Sequence, residues 1–547
     1  MLHDNAAIRQ NYVGMIYQMG VDAEKTKILH SAGQELSELH EDGILHIHDL
    51  EAYGKVYNCC TPDLVSYLQF RDYHCKSQTG KMFECFGHIK NLIIELAASQ
   101  SGGIGFANFD EDVARSMDFL SINACPENEA VLRDCIVDFV KWINVTYTRF
   151  CREPYYVTLN IGLSDTEWGR KIACLLLEVF EHSPMDYKRP NIVYKVNRKI
   201  NGVGTKNYDI YRIALECTAK RMVPTYLLTD SDVNKECNPF KLAVMGCRTR
   251  VYDNMNGDAG AICRGNVACV SINLPRIALE CMGGGEVYES LDARIDSAIY
   301  ILQHRAKRLM EKGEQYLTFV LDNRIWKTNE LAEIIRQGTL SVGFIGLAEC
   351  VEILTGSKPF QDSDSFEFSV EIVRHLRDRI NNYRENTGLN FSVLASAGEM
   401  LSNRFCELDR KKYPHPTQDK GFYTNSFHVN VDAGVSIYEK IDLEAPFHEL
   451  CNGGCITYIE LPEAPLTNIE ALDDGIMYAQ SRGISYLGFN FPYDICNNCG
   501  CFGTFDVCGQ CGSGDIKRIR RVSGYLEEVP YFTVGKQREV EKRKVNL

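Results

Sequence analysis

Two CxxC pairs near the C-terminus constrain this chain most. Cys496-Asn497-Asn498-Cys499-Gly500 is followed by Cys508-Gly509-Gln510-Cys511-Gly512, with eight residues between Cys499 and Cys508. Each turn aims two thiols at one point, and the trailing glycine tolerates the tight backbone that this needs. Four thiolates suit a closed tetrahedral structural zinc site with no open position for chemistry. Cys496, Cys499, Cys508 and Cys511 are the expected ligands, and Cys501 lies inside the loop as a spare. A redox CxxC is the competing reading, and the short spacing between the pairs disfavours it.

The other cysteines call for a different account. There are 23 in a chain of 547 residues, long enough to bury a core without disulfides. The N-terminus MLHDNAAIRQ carries no apolar signal segment, and no apolar run reaches membrane-spanning length. A reducing, cytoplasmic location is therefore expected, where thiols are free, metal-bound or catalytic. Buried free cysteine is also simply a small apolar residue, which accounts for Cys174, Cys217, Cys281 and Cys350. The net charge of −14 argues against nucleic acid as a main partner, because phosphate recognition needs a basic face. The basic runs at Lys517–Arg521 and Lys542–Lys544 are local.

Apolar periodicity predicts helices over 5–40, 86–100, 128–150, 168–182, 287–313 and 365–385. Short β-branched runs at 155–162, 269–274 and 455–461 read as strands. This alternation predicts α/β architecture. Composition shifts at about residue 490, where cysteine and glycine become dense.

Thirteen residues past the last expected zinc ligand stands Gly524, within Arg521-Val522-Ser523-Gly524-Tyr525. A backbone radical requires an α-carbon between two peptide groups that delocalise the electron, and no side chain in the way of hydrogen abstraction. Gly524 fits, although a turn glycine would read the same in isolation.

With these motifs the chain resembles the anaerobic (class III) ribonucleotide reductases, a glycyl-radical family. The resemblance runs in order from about residue 40 to 540. It includes His46-Ile47-His48-Asp49-Leu50, Asn58-Cys59-Cys60, Ser101-Gly102-Gly103 and Met245-Gly246-Cys247-Arg248. It continues through Arg264-Gly265-Asn266, Ile272–Glu280, Gly343-Phe344-Ile345-Gly346-Leu347, Tyr423-Thr424-Asn425-Ser426, Gly453-Gly454, Tyr458–Leu461 and Gly535-Lys536.

The resemblance implies a ten-stranded α/β barrel with a small C-terminal zinc ribbon and glycyl-radical segment. The expected units are a barrel with N-terminal helices over 1–489, a zinc module over 490–515 and a radical segment over 516–547. It implies anaerobic reduction of ribonucleoside triphosphates, with the radical on Gly524 installed by a radical S-adenosylmethionine activating enzyme. Cys247 matches the thiyl cysteine that takes the ribose 3′ hydrogen. Cys59 is preferred over its neighbour Cys60 as the second active-site thiol, since adjacent strand residues face opposite ways. Asn266 matches a substrate-binding asparagine, and Met245 a methionine lining the same pocket. Ala395–Glu399 and Tyr423–Ser426 are candidate phosphate cradles, the first lacking the family's usual proline where Ala397 stands.

The resemblance also implies a homodimer and deoxynucleotide effectors. Many members begin with an ATP-cone domain, and the His46 motif comes too early here to leave room for one. Met245 with Asn266 leans toward formate as reductant, while Cys451 and Cys455 keep a redoxin open. Two other readings fit parts of the sequence. A pyruvate formate-lyase or diol dehydratase type enzyme shares the Gly524 motif, and a zinc-ribbon scaffold shares the cysteines.

Overall fold

A computed structural model describes residues 11–147, 153–246, 248–282 and 284–546. Ten strands carry the core and are numbered here in chain order. They are β1 Cys59–Thr61, β2 Ile104–Phe106, β3 Val157–Ile161, β4 Asn191–Val196, β5 Thr225–Leu228, β6 Arg264–Asn273, β7 Thr339–Ile345, β8 Asn390–Ala395, β9 Thr457–Glu460 and β10 Tyr486–Asn490. Neighbours run β8-β7-β6-β1-β2-β3-β4-β5-β10-β9.

Pairing is parallel from β1 to β5. It is parallel again within β6-β7-β8 and within β9-β10. The two halves meet antiparallel, at β1–β6 and at β5–β10. A bridge between Leu394 and Gly454 joins the free ends. Two backbone bonds support it, Gly453 N–H to Val393 O at 2.7 Å and Ala395 N–H to Gly454 O at 3.0 Å. The sheet is therefore a closed barrel of two five-stranded halves, and closure removes the exposed edges. All ten residues of β6 are buried, as expected of a strand covered on both faces. The short strand Leu45–Ile47 adds to β6 off this path.

Helices sheathe the barrel. Gln78–Ala98, Glu167–His182 and Ser363–Thr387 start at Ser77, Thr166 and Asp362, whose side chains accept a first-turn backbone N–H. Pro126–Val145 and Val287–Lys312 also match the periodicity. The helix expected over 5–40 is two helices, Tyr12–Ala32 and Gln34–Glu41, broken at Gly33, with residues 1–10 outside the described residues. Among the described residues no helix is long and apolar enough to cross a membrane.

A hairpin of Val244–Met245 and Thr249–Arg250 threads the barrel. Asn160 on β3 binds both the Val244 carbonyl at 2.9 Å and its N–H at 3.0 Å. Thr158 Oγ1 donates to the Gly246 carbonyl at 2.9 Å, and on the other side Arg250 N–H reaches Gly453 O at 2.9 Å. The wall yields to the hairpin at Gly103, where a Cβ would lie 2.8 Å from the Gly246 Cα.

The C-terminal region forms one antiparallel sheet, in the order Phe502–Gly503, Tyr493–Cys496, Ile516–Arg521, Leu526–Glu528. Cys496 pairs with Ile516 at one end of the central strand, and Arg521 ends that strand at the other. The cysteine turns and the Gly524 loop thus sit at opposite ends of one strand, about 17 Å apart at the usual rise per residue.

Candidate active site and metal centre

The barrel encloses a cavity of about 150 Å³, bounded by β1, β3, β6, the Gly246 turn and the loop after β8. Cys59 and Asn266 are direct cross-strand partners on its floor. The Cys59 thiol donates to Asn58 Oδ1 at 2.9 Å, and its sulfur accepts the Gly103 N–H at 3.2 Å. Cys60 points the other way into the outer core, where burial pushes its pKa up to about 12.

Asn266 donates from Nδ2 to Ser341 Oγ at 3.0 Å. Its Oδ1 is buried with no partner among the described residues. An unmet buried acceptor costs about 1–3 kcal/mol, so a ligand hydroxyl placed there is favoured. Met245 is fully buried against Cys59 and Val251, and the cavity wall is made by its neighbour Gly246. Cys247 lies outside the described residues, between Gly246 on the cavity wall and the buried Arg248.

Gly524 sits in the buried loop between the last two strands of the C-terminal sheet. The loop is closed by Val522 N–H to Tyr525 O at 2.9 Å. Gly524 has φ of 144°, a region essentially reserved for glycine. Arg248 Nη2 donates to the Ser523 carbonyl at 2.9 Å, and Arg521 Nη1 to the Gly524 carbonyl at 3.1 Å. Tyr525, which also lines the cavity, donates its hydroxyl to Glu399 Oε2 at 2.8 Å. The motif residues, 275 positions apart for Arg248 and Ser523, thereby meet at one end of the cavity.

A clamp that no sequence motif marks holds this loop. Lys188 Nζ and Arg189 Nη2, both on the cavity wall, each reach a Glu527 carboxylate oxygen at 2.6 Å. Burial pushes the Glu527 pKa up, but the Arg189 and Lys188 charges outweigh it and hold it below the usual value. A lone Lys-Arg pair carries no motif, so nothing in the sequence marked it. Of the two candidate cradles, Ser396, Ala397 and Glu399 line the cavity. Thr424 instead directs its N–H and hydroxyl to buried Glu349, at 3.0 and 2.7 Å, away from it. Cys451 and Cys455 are buried and do not line the cavity.

The ligand atoms of Cys496, Cys499, Cys508 and Cys511 all lie within 4.8 Å of one another. Cys496 and Cys511 sulfurs are 3.5 Å apart, as are those of Cys499 and Cys508. Tetrahedral zinc with Zn–S bonds of about 2.3 Å sets sulfurs about 3.8 Å apart, so this donor set fits the ion. Gly500 N–H and Gly512 N–H close the two turns on the carbonyls of Cys496 and Cys508. Cys501 stays outside the cluster, against the Phe502 carbonyl. The neighbouring basic run is paired off, with Lys517 on Asp186, Arg518 on Asp506 and Arg520 on Asp494.

Residues 4–545 match the family model described as anaerobic ribonucleoside-triphosphate reductase. The protein of that name from Salmonella typhimurium is 32% identical, covering 96% of this chain and 80% of its own. That of Enterobacteria phage T4 is 29% identical, covering 92% and 90%. The anaerobic ribonucleotide reductase of Thermotoga maritima, solved in complex with dATP and CTP, superposes with a TM-score of 0.74 at 16% identity, over 97% of this chain and 92% of that one. That structural likeness speaks to the fold alone.

Proposed function

Because this chain belongs to the anaerobic ribonucleoside-triphosphate reductase family, we propose that it reduces ribonucleoside triphosphates to deoxyribonucleoside triphosphates by radical chemistry, with Gly524 storing the radical. The observation that carries the reading is the Arg248–Ser523 bond. It ties the turn that bears Cys247 to the loop that bears Gly524, at the edge of a cavity floored by Cys59 and Asn266.

In this reading Gly524 takes a hydrogen atom from the Cys247 thiol, whose S–H bond is weak enough to yield it. The resulting thiyl takes the 3′ hydrogen of the ribose. Asn266 Oδ1 accepts from a ribose hydroxyl. The Cys59 thiol protonates the departing 2′ hydroxyl, which leaves as water. Formate supplies two electrons and a hydrogen and leaves as carbon dioxide, so that hydrogen replaces the 2′ hydroxyl; solvent reprotonates Cys59, and Cys247 returns the 3′ hydrogen at the end of the cycle. Met245 packs behind Cys59 and fixes its position. Lys188, Arg189 and the Ser396–Ala397 turn are the groups suited to a triphosphate.

The radical is installed by a radical S-adenosylmethionine activating enzyme, which must reach a glycine that is buried in the closed chain. The segment 516–547 therefore moves relative to the barrel of 1–489, with the zinc module of 490–515 as its anchor. Zinc holds shape there and takes no part in the chemistry. The working unit is a cytoplasmic homodimer regulated by deoxynucleotides, with formate as the electron donor.

The test is anaerobic treatment with the activating enzyme and S-adenosylmethionine. Electron paramagnetic resonance and an assay of deoxynucleotide formation, with and without formate, then read the outcome. A doublet that is absent in Gly524→Ala supports the assignment, and a doublet that persists in that variant places the radical elsewhere. Full turnover with a thioredoxin system and no formate overturns the choice of donor.

A further inference from the structure

Behind the hairpin, five buried side chains form an unbroken line of hydrogen bonds. Cys455 Sγ lies 3.7 Å from Ser485 Oγ, and Ser485 Oγ lies 2.8 Å from His448 Nδ1. His448 Nε2 is 2.9 Å from Thr457 Oγ1, which is 2.7 Å from Glu444 Oε2. All five are at least nine-tenths buried.

The direction of every bond in this line is fixed. The Ser485 backbone N–H donates to His448 Nδ1 at 3.0 Å, so Nδ1 is an acceptor and the ring proton is on Nε2. The Ser485 hydroxyl must then donate to Nδ1, which leaves its oxygen to accept the Cys455 S–H. At the far end a carboxylate only accepts, so Thr457 donates to Glu444 and receives from His448. Burial lowers the His448 pKa to about 3, so the ring is neutral, as this tautomer demands. Burial would push Glu444 up, but the Lys440 ammonium and His428 hold it well below the usual carboxylate range. His428 Nδ1 stands 3.2 Å from Glu444 Oε2, while its Nε2 is buried, has no partner among the described residues, and belongs to a ring that lines a second cavity.

We infer that Cys455 is a second proton-active thiol of the barrel, connected through Ser485, His448, Thr457 and Glu444 to the cavity at His428. The step is a concerted relay. The Cys455 S–H bond breaks and its proton joins Ser485 Oγ. The hydroxyl proton of Ser485 passes to His448 Nδ1, the Nε2 proton passes to Thr457 Oγ1, and the Thr457 proton ends on Glu444 Oε2. One thiol and one carboxylate become one thiolate and one carboxylic acid, with no electron transferred and total charge unchanged. Burial is the main force against the thiolate and the Glu444 charge adds to it, while the charges of Arg250 and Arg248 on the threading hairpin favour it, and Cys451 is the neighbouring thiol. At rest burial holds Cys455 protonated, its pKa near 12. Ionisation would place a negative charge beside Arg248, the residue that holds Ser523. This last consequence rests on the radical reading, whereas the relay itself does not.

The test is S–H to S–D exchange in the full-length, unactivated protein, followed by infrared absorption in the S–H stretching region after transfer to D₂O. Cys455→Ala identifies the band. We expect Cys455 to exchange faster than the equally buried Cys60 and Cys350, and Thr457→Val, close in shape, to slow it by at least about tenfold. Ser485→Ala should slow it similarly if circular dichroism shows the fold intact. Exchange at the wild-type rate in folded Thr457→Val, or no faster at Cys455 than at Cys60, overturns the relay. Because no radical is needed, failure here is separate from failure of the reductase reading.

Discussion

Arg248 donates from Nη2 to the carbonyl of Ser523 at 2.9 Å, with both residues buried. One belongs to the hairpin inside the barrel and the other to the C-terminal loop, so this bond ties the hairpin turn to the Gly524 loop. Hydrogen bonds to a charged group contribute about 1.5–3 kcal/mol, and Arg248→Lys should lower turnover about 10- to 100-fold. The doublet after activation should remain. Spin quantification beside the turnover assay checks this, and loss of both together would mean that the loop itself has collapsed.

Gly524→Ala should give no doublet and no deoxynucleotide. The φ of 144° adds about 1–3 kcal/mol of strain for a residue with a Cβ, visible as a lowered Tm. Nucleotide binding, measured by calorimetry, should survive. In the activated wild type, air should cut the chain at Gly524 and release the fragment 524–547, detectable by mass spectrometry.

The clamp on Glu527 makes stability depend on pH. Its pKa in the folded chain is depressed from 4.5, so its contribution is present above that value and is lost as pH falls through the folded pKa. Glu527→Gln leaves buried Arg189 without its carboxylate and Lys188 with Glu528 alone, at 3.0 Å, a change of the kind that costs up to about 3–5 kcal/mol. Thermal unfolding of the two proteins should differ most near neutral pH and converge in acid well below pH 4.5. Parallel curves at all pH values would refute the clamp.

Cys59 and Cys60 should separate cleanly. Cys59→Ser should remove turnover and keep the doublet, because its thiol faces the cavity. Cys60→Ser, in the outer core, should lower Tm and leave turnover largely intact.

The zinc site offers a test of anchoring. Cys508→Ser breaks a four-sulfur set at the end of the strand opposite Gly524. Radical yield should vanish while nucleotide affinity stays within about threefold, since the cavity is built by the barrel. Equal loss of both would show that the module supports the barrel as well.

The sequence by itself carried the local motifs. Paired CxxC turns, a glycine between two peptides and the Met245–Arg248 turn are short-range patterns, and each reads from neighbours in the chain. It also determined the α/β alternation and most helix spans, because apolar periodicity is set by which face must be buried. The tertiary structure alone decided what met what. Which cysteine of Cys59-Cys60 faces inward followed from β1 pairing with β6, which put Cys59 opposite Asn266. That Thr424 turns to Glu349 rather than to the cavity depended on a carboxylate 75 positions away. The Lys188–Arg189–Glu527 clamp and the line from Cys455 to Glu444 left no trace in spacing. The physical reason is common to all four. A buried charge or hydrogen-bonding group has to be satisfied by whatever the fold brings beside it, and barrel closure brings together residues that the chain keeps far apart.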